Sequence, residues 1–418
     1  MIKRRIIVIG AGASGLMAAG QAAIEGADVM LLEKKKMPGR KLRITGKGRC
    51  NLTNIAEVSE FIKHFGRNGK FLRQAFARFF SSDLIGFFNE IGLATKIERG
   101  GRVFPENDRA QDVADALLKW ISRLNVRLHT ETSINKLITS DERITGAVTD
   151  VKRAIEAEAI IIATGGLSYP LTGSTGDGYR LAESVGHTIV TTRPSLVPLE
   201  TRENFPKHLV GLRLKNVNAA LYIDGRKTAQ EFGEMEFTDF GLDGPIILTL
   251  SRIAVDALDH GRDVEISIDL KPALDHNKLD ARLLREIDQH GKMHFNNLLK
   301  ELLPMQLIPT CMESVQIPPE KSAHQISSEE RKRMRLWMKD FRLYISGHRS
   351  YDEAIITAGG VGLKEVNPRT MESRLIKDLY FCGEVLDLDG DTGGYNLQEA
   401  FSTGWLAGRS AAKADYNH

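Results

Sequence analysis

Cysteine is scarce in this sequence. Only Cys50, Cys311 and Cys382 occur among 418 residues, scattered and without a C-x-x-C pair. An odd set of isolated thiols encodes neither a disulfide framework nor a zinc ribbon, and it excludes the dithiol relay of the disulfide-reductase type of flavin enzyme. No metal site is expected. Long hydrophobic runs are missing too: no stretch approaches the ~18 consecutive apolar residues of a membrane span. The chain opens Met-Ile-Lys-Arg-Arg and then a short strand-like segment ending at Gly10, not the apolar core of a secretion signal. These absences predict a cytoplasmic protein with no membrane association. An excess of one charge is also lacking, since 57 Lys and Arg face 54 Asp and Glu for a formal net charge of +3. A polycation built to neutralise phosphate backbones is not encoded, so the expected partner is a small molecule rather than a nucleic acid. Oligomeric state leaves no mark in the pattern.

What is present reads as ordinary globular protein. Hydrophobic residues at 42% and charged ones at 27% rule out disorder for the chain as a whole, and the length predicts two to three domains. The first 35 residues form one βαβ pattern: an apolar strand Ile6 to Ile9, a Gly-rich turn, a small-residue helix from about Ser14 to Glu25, and a second strand Asp28 to Leu32. Within it Gly10-Ala-Gly12-Ala13-Ser14-Gly15 is a G-x-G-x-x-G fingerprint, with Glu33 eighteen residues beyond Gly15. Gly10 permits the tight turn, Gly12 lets bare backbone approach a pyrophosphate, Gly15 lets strand and helix pack closely, and Glu33 is placed to accept ribose hydroxyls.

From Lys34 to Arg49 there are eight basic residues and no acidic one, punctuated by Pro38, Gly39, Gly46 and Gly48. That composition predicts a cationic loop rich in N–H donors facing a diphosphate. An RNA-contacting loop is the alternative, disfavoured because aromatic stacking residues are missing from it.

Further turns point to FAD rather than NAD. Ala163-Thr164-Gly165-Gly166 follows the apolar strand Ala159 to Ala163, and Gly383-Glu384 follows another, Leu379 to Cys382, almost 350 residues after Glu33. A long dinucleotide held at several distant chain points fits this arrangement. Glu384 is expected on the ribityl or pyrophosphate region, and Gly393-Gly394-Tyr395-Asn396 is expected to bring bare backbone to the ring before a helix from about Leu397 to Ala412. No second fingerprint occurs, because Ala358-Gly359-Gly360-Val361-Gly362 lacks the required form. NADH or NADPH, if it is the electron donor, is expected to dock transiently.

Several longer motifs carry a resemblance. Gly39-Arg40-Lys41, the run Thr45-Gly46-Lys47-Gly48-Arg49-Cys50-Asn51-Leu52-Thr53-Asn54, Ala163 to Pro170, Gly173 to Gly178, Thr370 to Ser373, Gly383 to Asp387 and Gly393 to Gln398 resemble the signatures of the BaiN-like NAD(P)/FAD-dependent oxidoreductases, the aminoacetone oxidase-like flavoproteins. The match runs from Arg5 to about Ala412. It implies an α/β fold: a Rossmann-like FAD-binding domain of the two-dinucleotide-binding-domain flavoprotein type, with an inserted β-barrel and helical domain. It also implies Ala13, Ser14, Glu33, Lys34, Arg40 and Lys41 along the adenosine and diphosphate, the backbone of Ile134 at the adenine, and Glu384, Asn396 and Leu397 near the ribityl chain and flavin.

Chain texture divides into four segments: 1–193 and 346–418 as the cofactor domain, 194–275 as a β-rich insertion and 276–345 as a helical one. Ser327 with Glu330 predicts a capping box at the head of a late helix. The expected activity is FAD-dependent hydride transfer from NAD(P)H to a small organic acceptor such as an activated C=C bond. A flavin oxidase of an amine or aminoketone is one alternative and a flavin-dependent RNA-modifying or RNA-binding protein another. Candidates to donate a proton or to orient an anionic substrate are Tyr395, His348 and Arg349, in polar segments flanking the expected flavin.

Overall fold

The parallel sheet at the centre of the chain follows from runs of consecutive apolar residues, which only strands covered on both faces tolerate. The computed structural model of the protein, describing residues 3–413, contains five such strands: β1 (Arg5–Ile9), β2 (Asp28–Leu32), β3 (Arg127–His129), β4 (Ala159–Ile162) and β5 (Leu379–Phe381). They lie in the order β5-β4-β1-β2-β3, every neighbouring pair parallel. The chain thus runs outward through β2 and β3, then returns to the other side of β1 with β4. Order reverses between β1 and β4, which is where open α/β sheets bind ligands, beyond the carboxyl ends of the strands.

Helix α1 (Ala13–Ile24) follows β1 and packs against the last helix, α2 (Tyr395–Lys413). Small residues set their separation. A Cβ at Gly404 would stand 2.4 Å from the Ser14 carbonyl oxygen, and one at Gly408 would stand 2.2 Å from that of Ala18, so the backbones approach with nothing between them. This close contact joins the two ends of the sequence in one core.

The chain divides into two compact units, one made of residues up to Pro194 with those from Ala354 onward, the other of Ser195–Glu353. The second unit holds a closed six-stranded barrel built from Leu199–Thr201, Gly241–Asp243, Arg226–Phe237, Arg213–Ile223, Val264–Asp269 and Phe341–His348. Helical segments from His276 to Lys339 sit in the chain between its last two strands. Phe341–His348 therefore straddles the expected 345/346 boundary: it pairs with Val264–Ile268, seventy-odd residues earlier, and alternates buried and exposed side chains along its first six residues. The expected strand Glu353–Thr357 is displaced to Ile356–Val361. The Ser327 capping box forms, its hydroxyl accepting from the Glu330 N–H while the Glu330 carboxylate accepts from the Ser327 N–H.

Candidate cofactor site

The three fingerprint glycines have separate physical reasons. Gly10 has φ +101°, and a Cβ there would meet the Ala163 carbonyl oxygen at 2.5 Å. A Cβ on Gly15 would stand 1.8 Å from the Gly10 carbonyl oxygen. Gly12 is different: its φ of −84° suits any residue, and nothing lies within 4 Å of its missing Cβ. Protein packing requires the first and third glycine, whereas the second leaves open space at the start of α1. That helix has no side-chain cap, so its first N–H groups and positive end face this space. A diphosphate fits there.

Glu33 ends β2 with both carboxylate oxygens anchored, Oε2 accepting from the Ala11 N–H and Oε1 from the Lys35 N–H, each at 2.9 Å. A carboxylate has about four acceptor positions, so capacity for ribose hydroxyls remains. Gly383, with φ +74°, packs so closely on α1 that a Cβ would lie 2.4 Å from Ser14 Oγ, and Gly165 (φ +72°) stands beside Ser174. The turns around Gly10, Thr164–Gly165 and Gly383–Glu384 thus converge at the reversal point of the sheet. Ile134 opens a separate antiparallel ribbon, buried and opposite Thr149.

The cationic loop is largely neutralised from within. Lys34 Nζ meets Asp177 Oδ2 at 2.6 Å and also Thr175, while Lys41 Nζ contacts Glu384 Oε2 at 2.5 Å and Ser168 Oγ at 2.6 Å. Arg43 pairs with Asp115 at 2.9 Å. Arg49 bridges Glu98 (2.5 Å) and Asp108 (2.6 Å) and lies 4.2 Å over the Phe104 ring. Its guanidinium is held charged chiefly by those carboxylate hydrogen bonds, so what Arg49 leaves for a cofactor is backbone. Arg40 is exposed at the head of the short helix Arg40–Ile44.

Beyond that helix the chain winds through left-handed Gly46, Gly48 and Cys50. Burial pushes the Cys50 thiol up to about 12 and raises that of Cys382 as well, which makes both packing residues rather than nucleophiles. Asn51 Oδ1 is buried without a hydrogen-bond partner among the described residues. It lies 2.9 Å from where a Cβ of Gly394 would stand, and the Thr53 carbonyl oxygen lies 2.5 Å from that point. An orphaned acceptor beside bare, left-handed backbone (Gly394, φ +97°) suits an N–H donor such as that of a flavin pyrimidine ring.

Other expected contacts are spoken for. The Glu384 carboxylate accepts from Lys41, from Ser168 Oγ at 2.6 Å and from the Thr357 N–H at 2.9 Å. Asn396 clamps the preceding loop: Oδ1 accepts from the Gly390 N–H at 2.7 Å, and Nδ2 donates to the carbonyls of Gly390 (2.9 Å) and Asp391 (3.2 Å). Leu397 is half-buried in the first turn of α2, which begins at Tyr395, two residues earlier than expected.

Among the candidate proton donors, Tyr395 alone belongs to this unit. Its ring stacks on His64 at 3.9 Å and meets Phe61 edge-on at 4.6 Å, and burial pushes its hydroxyl up to about 12. His348 and Arg349 lie in the barrel unit with their polar atoms engaged. His348 Nδ1 is 2.9 Å from the Arg349 carbonyl oxygen, and Arg349 pairs with Glu353 (2.6 Å) and Glu200 (2.9 Å) above the Phe240 ring.

Sequence reasoning missed His64, whose Nδ1 lies 2.7 Å from Asp391 Oδ2 across 327 residues, and the acid partners Glu98 and Asp108. It also missed Glu399, fully buried on α2, whose carboxyl is pushed up to about 8 by burial and by the charge of Glu384, against a hydrogen bond from Thr403. No local spacing announces any of these. Among the described residues no group of His, Cys, Asp and Glu is arranged to hold a metal, and no helix is long and apolar enough to cross a membrane.

A doubly wound sheet, a glycine cradle at its reversal point and turns returning from distant sequence define a protein of the dinucleotide-binding α/β class. The chain belongs to the HI0933-like protein Rossmann domain family, whose model matches residues 4–410. It is 34% identical over 412 residues to the 3-dehydro-bile acid delta(4,6)-reductase of Clostridium scindens, covering 98% of this chain and 99% of that protein. It is 32% identical over 410 residues to the ribosomal RNA dihydrouridine synthase of Escherichia coli, covering 98% of each. The 3-ketosteroid delta1-dehydrogenase of Sterolibacterium denitrificans shares the fold, with a TM-score of 0.53 at 13% identity over 98% of this chain and 99% of that one. The protein is an FAD-dependent oxidoreductase.

Proposed function

We propose that this enzyme reduces an activated C=C bond of a small organic acceptor, taking the hydride from NADH or NADPH by way of FAD. The observation that carries this reading is chemical agreement between two full-length relatives: a delta(4,6)-reductase and a dihydrouridine synthase are both named for saturating a ring C=C bond. When bound, FAD accepts a hydride from one partner and passes it to the other. The chain's own part is to hold it. We assign the diphosphate to Gly10, Gly12, Ala13, Ser14, Gly15, Thr164, Gly165 and Gly383, with Lys34, Arg40 and Lys41 supplying charge and Glu33 the adenosine ribose. The ring would be held beside Gly46, Gly48, Cys50, Asn51, Gly394 and Tyr395, where the Asn51 amide oxygen would accept a hydrogen bond from it.

Gly359 and Gly360 sit inside the strand Ile356–Val361, against the carbonyls of Thr191 and Val385, which is not a phosphate turn. That supports transient docking of the nicotinamide. The test is anaerobic bleaching of the yellow protein by NADH and by NADPH, followed by reoxidation with a conjugated ketone such as a 3-oxo-4,6-diene steroid. Bleaching followed by saturation of the alkene is expected, whereas a flavin that NAD(P)H leaves yellow but an amine or aminoketone bleaches, with O2 restoring the colour, marks an amine or aminoketone oxidase. The Escherichia coli relative favours a second reading, a uridine in RNA as acceptor, scored by offering ribosomal RNA in the same assay. Against it, Lys34, Lys41, Arg43 and Arg49 are matched by carboxylates of the protein itself.

A further inference from the structure

Adding a hydride to one carbon of a conjugated C=C bond leaves an enolate, and the neighbouring carbon then needs a proton. His348 and Arg349 both lie in the barrel unit. The cofactor-binding unit does contain a histidine ordered for proton transfer. His64 follows the short helix Val58–Lys63, and its Nδ1 sits 2.7 Å from the Asp391 carboxylate, which fixes the orientation of the ring. The backbone holds the same contact, the Asp391 N–H donating to the His64 carbonyl at 3.2 Å.

The imidazole is stacked at 3.9 Å on Tyr395, the residue that follows the bare Gly393–Gly394 turn. The Gly393 backbone in turn lies against the Tyr395 ring, 2.7 Å separating a Gly393 Cβ from it. Asp391 belongs to the loop that Asn396 clamps, so carboxylate, imidazole and turn are one rigid assembly. The side chains of both members of the pair keep partial exposure, 28% for His64 and 21% for Asp391, so the pair can exchange protons with solvent after turnover. The charged and titratable groups around His64 include Asp391 on the clamped loop, Tyr395 on α2, and Glu60, itself paired with Lys63, on its own helix.

We propose that the His64–Asp391 pair is the proton donor of the reduction. Resting on the C=C reductase reading above, the balance is NAD(P)H plus the alkene plus one proton giving NAD(P)+ plus the saturated product. The hydride forms a C–H bond at the far carbon, the π electrons move toward the carbonyl, and the imidazolium N–H breaks as the second C–H bond forms. Water then reprotonates His64.

The test uses the holoenzyme with His64→Gln, Asp391→Asn and Tyr395→Phe. In anaerobic stopped flow, bleaching by NAD(P)H, which delivers no proton to carbon, stays within about twofold of the parent in His64→Gln. Reoxidation by the conjugated ketone falls about 10²- to 10⁴-fold. Asp391→Asn shows a smaller loss of the same step, since the ring loses the carboxylate that orients it. Unchanged reoxidation in His64→Gln, equal slowing of both half-reactions, or a loss found in Tyr395→Phe instead overturns the proposal. If the parent reduces no C=C acceptor, the reductase reading has failed, and the pair is then scored by the pH dependence of the flavin midpoint potential in light-driven reduction. A change of slope in the parent that is missing in His64→Gln supports a proton site coupled to the ring, and identical slopes overturn it.

Discussion

Glu399 is a carboxyl buried on α2 beside the ionised, Lys41-paired Glu384, and replacing it by Gln isolates the energetic consequence. Its pKa is raised from an ordinary 4.5 to about 8, first by burial and then by the charge of Glu384. A carboxyl that binds its proton more tightly in the folded state contributes stability in full below about pH 4.5, and the contribution is lost as pH rises through about 8. The span is about 3.5 pH units, and at about 1.4 kcal/mol per unit the loss is on the order of 5 kcal/mol. Glutamine keeps the shape and can still accept from Thr403 Oγ1 but cannot ionise. The stability of the parent relative to Glu399→Gln should therefore fall by about 5 kcal/mol between pH 4.5 and 8, the variant being the more stable at the alkaline end. Paired urea unfolding curves across that range, in excess FAD, measure the difference while other titrating groups cancel. On the thermal scale this is on the order of 10 °C. Parallel pH curves for the two proteins would show that the folded state does not hold Glu399 protonated, and would refute the reasoning.

Gly12→Asp should fold with normal far-UV circular dichroism yet lose copurifying FAD, because the protein leaves its Cβ space open while a carboxylate would occupy the diphosphate position; stoichiometric flavin in the folded variant would contradict the placement. Gly15→Ala should fail one step earlier, losing folded protein itself on expression, since its methyl group meets the Gly10 carbonyl oxygen at 1.8 Å. Asn396→Asp turns a carboxylate toward the carbonyls of Gly390 and Asp391, so it should loosen the 390–394 loop and weaken FAD retention, read by flavin release on dilution. Lys41→Met strips the cation from Glu384, a carboxylate about four-fifths buried, and should cost about 1–3 kcal/mol by urea unfolding after allowance for its exposure; no loss would mean that Ser168 and Thr357 satisfy Glu384 without it.

The sequence by itself determined whatever depends on neighbours in the chain. Strand β1, the fingerprint turn and α1 follow from an apolar run, glycine chemistry and small-residue spacing within some twenty residues, and the same holds for the Ser327 capping box. Glu33 was legible because the distance from turn to second strand is set by one helix length. Tertiary structure decided the pairings. That Arg49 serves Glu98 and Asp108, that Glu384 is consumed by Lys41, Ser168 and Thr357, and that Asn396 grips its own loop are contacts between segments brought together by the fold. A charged or amide side chain looks equally available in a sequence whether solvent or a partner receives it, so the acids that pair with the cationic loop came into view only with the fold. The barrel closes the same way: Phe341–His348 finds Val264–Ile268 only after some seventy residues of helices intervene, and strand pairing at that range leaves no periodic trace. His64 was invisible for the same reason. Its meaning resides in Asp391 and Tyr395, more than 320 residues away, and one imidazole among eleven histidines acquires a function only when the folded chain places a carboxylate at its Nδ1 and an aromatic ring at its face.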